Sequence, residues 1–260
     1  MLGTGLFNSL VNVWADDSAI AFDGVNDYVT IDVPTNAESI LQKNGMCLSL
    51  WVKARSATIN ADLIIWMQTE TEEAVGGALA SQYLWYDVSE QKIKWTRTDT
   101  DGDNPVTSEV AHNKSRMFNA WTHIVVQVPA DGGEMVITLN GNEVESTGNA
   151  ERGAAWGTHL PDHEVYYGFD GRANNMFFNG YISNVAIWLG EPTDFQILDI
   201  YNAGEPKNEL ESYDDLFFYH VSNEKTFISD TGYQIASHGG GSMNRVNYSG
   251  AIIVSKPSNE

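Results

Sequence analysis

The residues best equipped for chemistry lie in turn-rich stretches of the sequence. Asp99-Thr100-Asp101-Gly102-Asp103-Asn104 concentrates carboxylate and amide oxygens. Calcium takes its ligands from oxygens of this kind, so Asp99, Asp101 and Asp103 are candidate calcium ligands. The string departs from an EF-hand loop: glycine stands fourth instead of sixth, and Val110 occupies the twelfth place instead of glutamate. Its plain reading is a hairpin tip. His159 and His163 are four apart in a proline-containing segment, a weak transition-metal pattern. None of the six histidines stands in an HExxH or triad-like context. His123 lies in an apolar strand pattern, where a packed or hydrogen-bonded imidazole is expected. Trp156, between Gly153 and Gly157, is a loop aromatic of the kind that stacks on a sugar face. With Asp101 and Asn104 it makes a set of candidate glycan contacts. The alternative is a ring folded onto the edge of its own domain.

The elements that must position these groups are strands. Apolar residues recur with period two in Ala19–Phe22, Asp27–Asp32, Met46–Lys53, Thr122–Val128, Glu134–Asn140, Glu164–Phe169 and Gly180–Trp188. Leu63–Met67 is short and wholly apolar, as in a buried strand. Tyr83–Asp87 and Lys92–Thr96 flank a turn and read as a hairpin. One segment reads as a helix: Thr193 can cap it, Phe195, Leu198 and Tyr201 follow at helical spacing, and Gly204 ends it. The expectation is an all-β, two-sheet antiparallel jelly-roll sandwich with one short helix near residues 193–203. Trp51, Trp66, Trp121 and Trp188 fall in strand patterns and are expected as core fillers.

Composition narrows the function classes. The chain has 260 residues, with 35 Asp and Glu against 14 Lys and Arg, a net charge of −21. A nucleic acid or an anionic membrane surface requires a basic stripe, so both are disfavoured as partners. Cys47 is the single cysteine, which excludes an internal disulfide framework and a cysteine-based zinc site. No apolar run reaches the ~20 residues of a membrane span. No Lys or Arg precedes Lys43, so the N-terminus does not read as a signal peptide. Residues 2–14 carry no charge. Leu6, Phe7, Leu10 and Trp14 of that stretch are candidate assembly contacts, on a neighbouring subunit or on the edge of the same sandwich. The organisation expected is an apolar arm over residues 1–18, a sandwich over 19–204, and a segment over 205–260 completing or extending it.

The order of the strand motifs carries a resemblance. Phe22-Asp23-Gly24-Val25-Asn26-Asp27-Tyr28-Val29, Leu48-Ser49-Leu50-Trp51-Val52-Lys53, Trp121-Thr122-His123-Ile124-Val125-Val126, Leu139-Asn140-Gly141, Phe178-Asn179-Gly180-Tyr181-Ile182 and Ile200-Tyr201-Asn202-Ala203-Gly204 follow one another. This succession resembles the laminin-G-like, concanavalin A-like lectin/glucanase superfamily, in a variant common in bacteriophage structural proteins. Three expectations follow from the resemblance. Hydrolases of this fold place two glutamates on one strand; Glu70-Thr71-Glu72-Glu73 and Glu209–Asp215 lack that spacing, so no catalytic residue is assigned. A structural calcium in the superfamily uses the early Asp-Gly turn, making Asp23, Asn26 and Asp27 candidate ligands, but Ser183-Asn184 replaces the late acidic pair. The function implied is a non-enzymatic virion component (decoration, head-fibre or tail-associated), made in the host cytoplasm. It would be a homo-oligomer with capsid or tail proteins as partners and a cell-surface glycan as possible ligand. A free carbohydrate-binding module is the alternative, and a glycoside hydrolase the least favoured reading.

Overall fold

Period-two alternation in the sequence becomes two antiparallel sheets. A computed structural model describes residues 18–33, 45–55, 61–69, 80–97, 106–112, 120–129, 134–143, 163–168, 177–190, 192–204, 216–220, 226–227, 246–249 and 252–255. Their strands are β1 (Ser18–Asp23), β2 (Tyr28–Val33), β3 (Met46–Ala54), β4 (Ala61–Thr69), β5 (Ala80–Asp87), β6 (Lys92–Arg97), β7 (Val106–Ala111) and β8 (Thr122–Val128). They continue with β9 (Val136–Leu139), β10 (Asn142–Glu143), β11 (His163–Tyr167), β12 (Asn179–Leu189), β13 (Leu216–His220), β14 (Thr226–Phe227), β15 (Val246–Ser249) and β16 (Ile252–Ser255). The helix α1 (Asp194–Tyr201) follows β12.

Sheet A runs β10-β9-β8-β3-β12-β1-β16, with β13 also on β12 and β14 on β13. Sheet B runs β15-β2-β11-β4-β5-β6-β7. The expected all-β sandwich with one short helix is therefore present. A strand that alternation did not reveal, β7, closes sheet B, and the Ser108 hydroxyl donates to the Met135 carbonyl at 2.8 Å, tying that edge to the segment entering β9.

The core between the sheets is built from one parity of each strand, with the bulge in β12 switching the inward parity part-way along. Leu48, Leu50 and Val52 of β3, Ile124 and Val126 of β8, and Ile182 and Ile187 of β12 meet Leu84 and Tyr86 of β5 and Ile93 and Trp95 of β6. Strand β3 is buried along its whole length, because its other parity is covered as well. Cys47 packs there with Val125, Ala186 and Trp188 beneath Ile197 and Ile200 of α1. Trp51 and Trp121 cluster with Ala19, Tyr181 and Tyr201. So Trp51, Trp121 and Trp188 are buried as expected, but outside the inter-sheet core, on the helix-covered face of sheet A. The side chain of Trp66 lies outside the described residues.

Helix α1 begins with a capping box. The Gln196 N–H donates to Thr193 Oγ1 at 3.3 Å, and the Thr193 N–H donates to Gln196 Oε1 at 2.8 Å. Its buried face differs from the sequence expectation. Ile197 and Ile200 are 3% exposed, whereas Phe195 is 78% and Leu198 52% exposed. Eight residues can offer two apolar stripes, and the chain's approach selects one. Gln127 Nε2 donates to the Pro192 carbonyl at 3.1 Å, which fixes how the segment enters the helix.

Two backbone features shape sheet A. Asn140 and Gly141 both have positive φ, 52° and 72°, as a tight hairpin turn between β9 and β10 requires. A Cβ on Gly141 would lie 2.6 Å from Tyr201 Cδ1, so the turn seats directly on the end of α1. In β12 one extra residue is accommodated between Ser183 and Ala186 relative to β3. Asn184 takes the left-handed conformation there (φ 49°), which asparagine tolerates better than most residues.

Candidate functional site

The β5–β6 hairpin assembles a polar network from residues that the sequence placed only in a hairpin. Asp87 organises its turn: Oδ1 accepts from Ser89 N at 3.0 Å, Ser89 Oγ at 2.7 Å and Glu90 N at 3.0 Å. Its other oxygen accepts from Lys94 Nζ at 2.9 Å. Lys94 also meets Glu90 at 3.0 Å and Glu109 of β7 at 3.6 Å. Lys92 pairs with Glu109 and, at 3.3 Å, with Glu90. Burial alone would raise the Asp87 pKa, but hydrogen bonds from the Ser89 hydroxyl, Lys94 and the Glu90 amide outweigh it and hold the carboxyl at about 2. Burial likewise opposes the charge on Lys94, and the bonds to Asp87 and Glu90 overcome it, leaving its pKa raised. Asp87, Glu90, Lys92 and Lys94 are each shifted towards the charged state by their partners in the network.

Trp85 lies against this network. Its indole N–H donates to Thr96 Oγ1 at 3.2 Å, and Thr96 Oγ1 shares a further hydrogen bond with Thr107 Oγ1 at 2.9 Å. Lys94 Nζ stands 4.9 Å from the ring centroid. The ring is thus fixed at its nitrogen and backed by a cation. Trp85 remains half-buried while its chain neighbours Leu84 and Tyr86 are fully buried in the core. Half-buried aromatics recur along the same sheet: Tyr83 lies two residues before Trp85, and Tyr166 of β11 meets Tyr28 of β2 at a ring separation of 6.4 Å. The backbone register sets Tyr166, Trp66, Tyr83, Thr96 and Thr107 in one line across β11, β4, β5, β6 and β7.

A second constellation lies on sheet A. Ser49 Oγ and His123 Nε2 are 2.7 Å apart, the spacing of a hydroxyl and its general base. Both groups are buried, Nδ1 has no hydrogen-bond partner among the described residues, and burial drops the imidazole pKa to about 3. The ring stacks on Trp51 at 5.0 Å and on Tyr201 at 5.8 Å. A neutral imidazole held this way serves packing and a hydrogen bond, the reading its strand pattern favoured. The neighbouring Cys47 thiol is fully buried, which pushes its pKa up.

The early Asp-Gly turn shows what its acids do. Asp23 Oδ1 accepts from Val25 N at 2.8 Å and Asn26 N at 3.3 Å, and Asp27 Oδ2 accepts from Asp23 N at 2.9 Å. Burial raises the Asp27 pKa although the Asp23 amide opposes the shift. In β12, Ser183 Oγ donates to Asn184 Oδ1 at 2.6 Å, and both residues are buried in the bulge. The Asp-Gly turn is therefore stabilised by hydrogen bonds from its own backbone amides to Asp23 and Asp27. No group of three His, Cys, Asp or Glu among the described residues is placed to hold a metal ion. The remaining candidates Asp99, Asp101, Asp103, Asn104 and Trp156, and the arm residues Leu6, Phe7, Leu10 and Trp14, lie outside the described residues, as do residues 70–73 and 209–215.

Comparison with known proteins adds the lineage. Residues 23–198 match the family described as the concanavalin A-like lectin/glucanases superfamily. The chain belongs to that superfamily. Among solved structures, this lectin-like sandwich resembles a Bacteroides ovatus protein named as a candidate carbohydrate-binding protein, at 15% identity and a TM-score of 0.55, over 93% of this chain and 60% of that one. It also resembles the binding domain of botulinum neurotoxin serotype D, at 15% identity and a TM-score of 0.52, over 71% of this chain and 42% of that one. A third likeness is to the CBM40 of the Ruminococcus gnavus IT-sialidase bound to α2,3-sialyllactose, at 12% identity and a TM-score of 0.50, over 70% of this chain and 96% of that one. At these identities the likenesses show the fold alone. No curated protein matches the sequence.

Sequence reasoning looked for an aromatic ligand platform in loops and passed over Trp85. A signal was present. Tyr83-Leu84-Trp85-Tyr86 carries large aromatics on both parities, so one aromatic set must leave the core. Lys92, Lys94 and Thr96 then share the parity that β6 turns towards Trp85.

Proposed function

We propose that this chain is a non-catalytic carbohydrate-binding module, with its ligand on the outer face of sheet B against Trp85. The observation that carries this reading is the half-buried indole itself. It is held in place by Thr96 and backed by Lys94, which in turn pairs with the carboxylates of Glu90 and Glu109. Sugars are bound by a fixed aromatic surface beside hydrogen-bonding groups that set orientation. The superfamily supports the same class of ligand, as do the named carbohydrate links of the Bacteroides and Ruminococcus neighbours. Saturation-transfer NMR of the full chain with a panel of mono- and disaccharides tests it. Transfer to at least one sugar, lost in Trp85→Ala, is the expected result; transfer that is unchanged in the variant would overturn the site.

We place this module on a virus particle, as an oligomeric adhesion or decoration protein. The support is the resemblance of the ordered strand motifs, from Phe22 to Gly204, to the variant common in bacteriophage structural proteins, together with the uncharged residues 2–14. Mass spectrometry of purified particles tests the setting: the chain at defined stoichiometry is expected, and its absence would leave a free module.

A further inference from the structure

We infer that the ligand face around Trp85 selects uncharged sugars and rejects acidic ones such as sialosides, uronates and sulfated glycans. The inference rests on the carbohydrate-binding reading above and specifies its ligand class. Acidic sugars are bound through a cation with a bond to spare. The strands of sheet B contain three lysines and arginines, Lys92, Lys94 and Arg97. Arg97 is buried and shares the parity of Trp95, which faces the core. Lys94 carries three N–H donors and has three carboxylates within 3.6 Å. Lys92 is shared between Glu90 and Glu109. With two lysines against Asp87, Glu90 and Glu109, the cluster has one negative charge in excess, on a chain of net charge −21. Glu90, whose side chain is 49% exposed, is more open than Lys92 at 30% or Lys94 at 10%, so an incoming carboxylate or sulfate meets a surface whose net charge is negative. Sugar hydroxyls, by contrast, are donors, and a carboxylate already oriented by a lysine accepts them well. The indole face and the Glu90 oxygens together suit a neutral pyranose ring.

The test is a glycan array probed with the full chain, carrying matched neutral, sialylated, uronate and sulfated oligosaccharides, at low and physiological salt. Binding confined to neutral glycans, weakened about tenfold by Glu90→Gln through loss of a charge-assisted hydrogen bond, is expected. In Glu90→Lys, acidic glycans should gain binding. Acidic glycans bound as tightly as neutral ones by the native chain would overturn the inference while leaving the carbohydrate-binding reading standing. Neutral binding unaffected by Glu90→Gln would remove the carboxylate from the site. No binding to any glycan would overturn the reading on which the inference rests. Melting temperatures of both variants separate these outcomes from misfolding, since Glu90 lies in an exposed turn.

Discussion

Lys94 Nζ sits 4.9 Å from the centre of the Trp85 ring, while the same ammonium bonds Asp87 Oδ2 at 2.9 Å. One lysine thus joins the hairpin turn of β5–β6 to the aromatic surface of sheet B. The order of the turn and the placing of the aromatic ring therefore depend on the same ammonium.

Asp87→Asn should weaken the turn and loosen the support under Trp85. The native carboxyl has a folded pKa of about 2, below its ordinary value of 3.8. Its contribution is present above the ordinary value and is lost as pH falls through the folded one. Thermal melts from pH 5 to pH 2 should therefore show a decline that is shallower in Asp87→Asn. Parallel curves for the two proteins would contradict the assigned role.

His123 titrates in a different window. Burial lowers its folded pKa to about 3 from 6.5, so the unfolded chain binds more protons between those values. Stability should fall as pH drops below 6.5, with a slope of at most about 1.4 kcal/mol per pH unit. His123→Gln can keep the bond to Ser49 and should flatten the slope between pH 6 and pH 4. Chemical denaturation across that range reads it directly.

The strands were legible because apolar residues recur with period two in β3 and β8 and on either side of the bulge in β12, and because Asn140-Gly141 and Asp23-Gly24 are turn dipeptides in the right places. The helix was legible from Thr193 and Gly204. Its buried face was not, because Ile197 and Ile200 compete with Phe195 and Leu198 at the same spacing, and only the docking of Pro192 on Gln127 decides between them. Trp85 was hidden for a related reason. Alternation says that two parities differ, and the pairing of β5 with β6 and β4 says which one faces outward.

That choice of helix face gives a stability prediction. Ile197→Ala and Ile200→Ala should each cost about 2–4 kcal/mol, as for other large-to-small core changes. Phe195→Ser and Leu198→Ser should stay within about 0.5 kcal/mol, the range of surface substitutions. Urea denaturation of the four variants distinguishes the faces; the reverse ranking would mean that α1 is rotated.

Gly141→Ala should destabilise the protein although the turn is at the surface. The residue has φ 72°, and a Cβ there would meet the Tyr201 ring at 2.6 Å. Strain of this kind costs about 1–3 kcal/mol. A companion Tyr201→Ala change relieves the contact but not the positive φ. The double variant should therefore recover part of the Gly141→Ala penalty, as read by a double-mutant cycle in urea.

The central claim is that Trp85 is the surface on which a sugar stacks. Its indole N–H, hydrogen-bonded to Thr96, is an observable reporter: the resonance can be assigned as the one absent from the spectrum of Trp85→Phe. Titration of the ¹⁵N-labelled full chain with a neutral oligosaccharide should shift that resonance progressively and saturably, with smaller changes at the buried Trp95 and Trp188 indoles. A titration in which binding is detected but the Trp85 signal stays fixed would contradict the account and move the ligand to another part of the molecule.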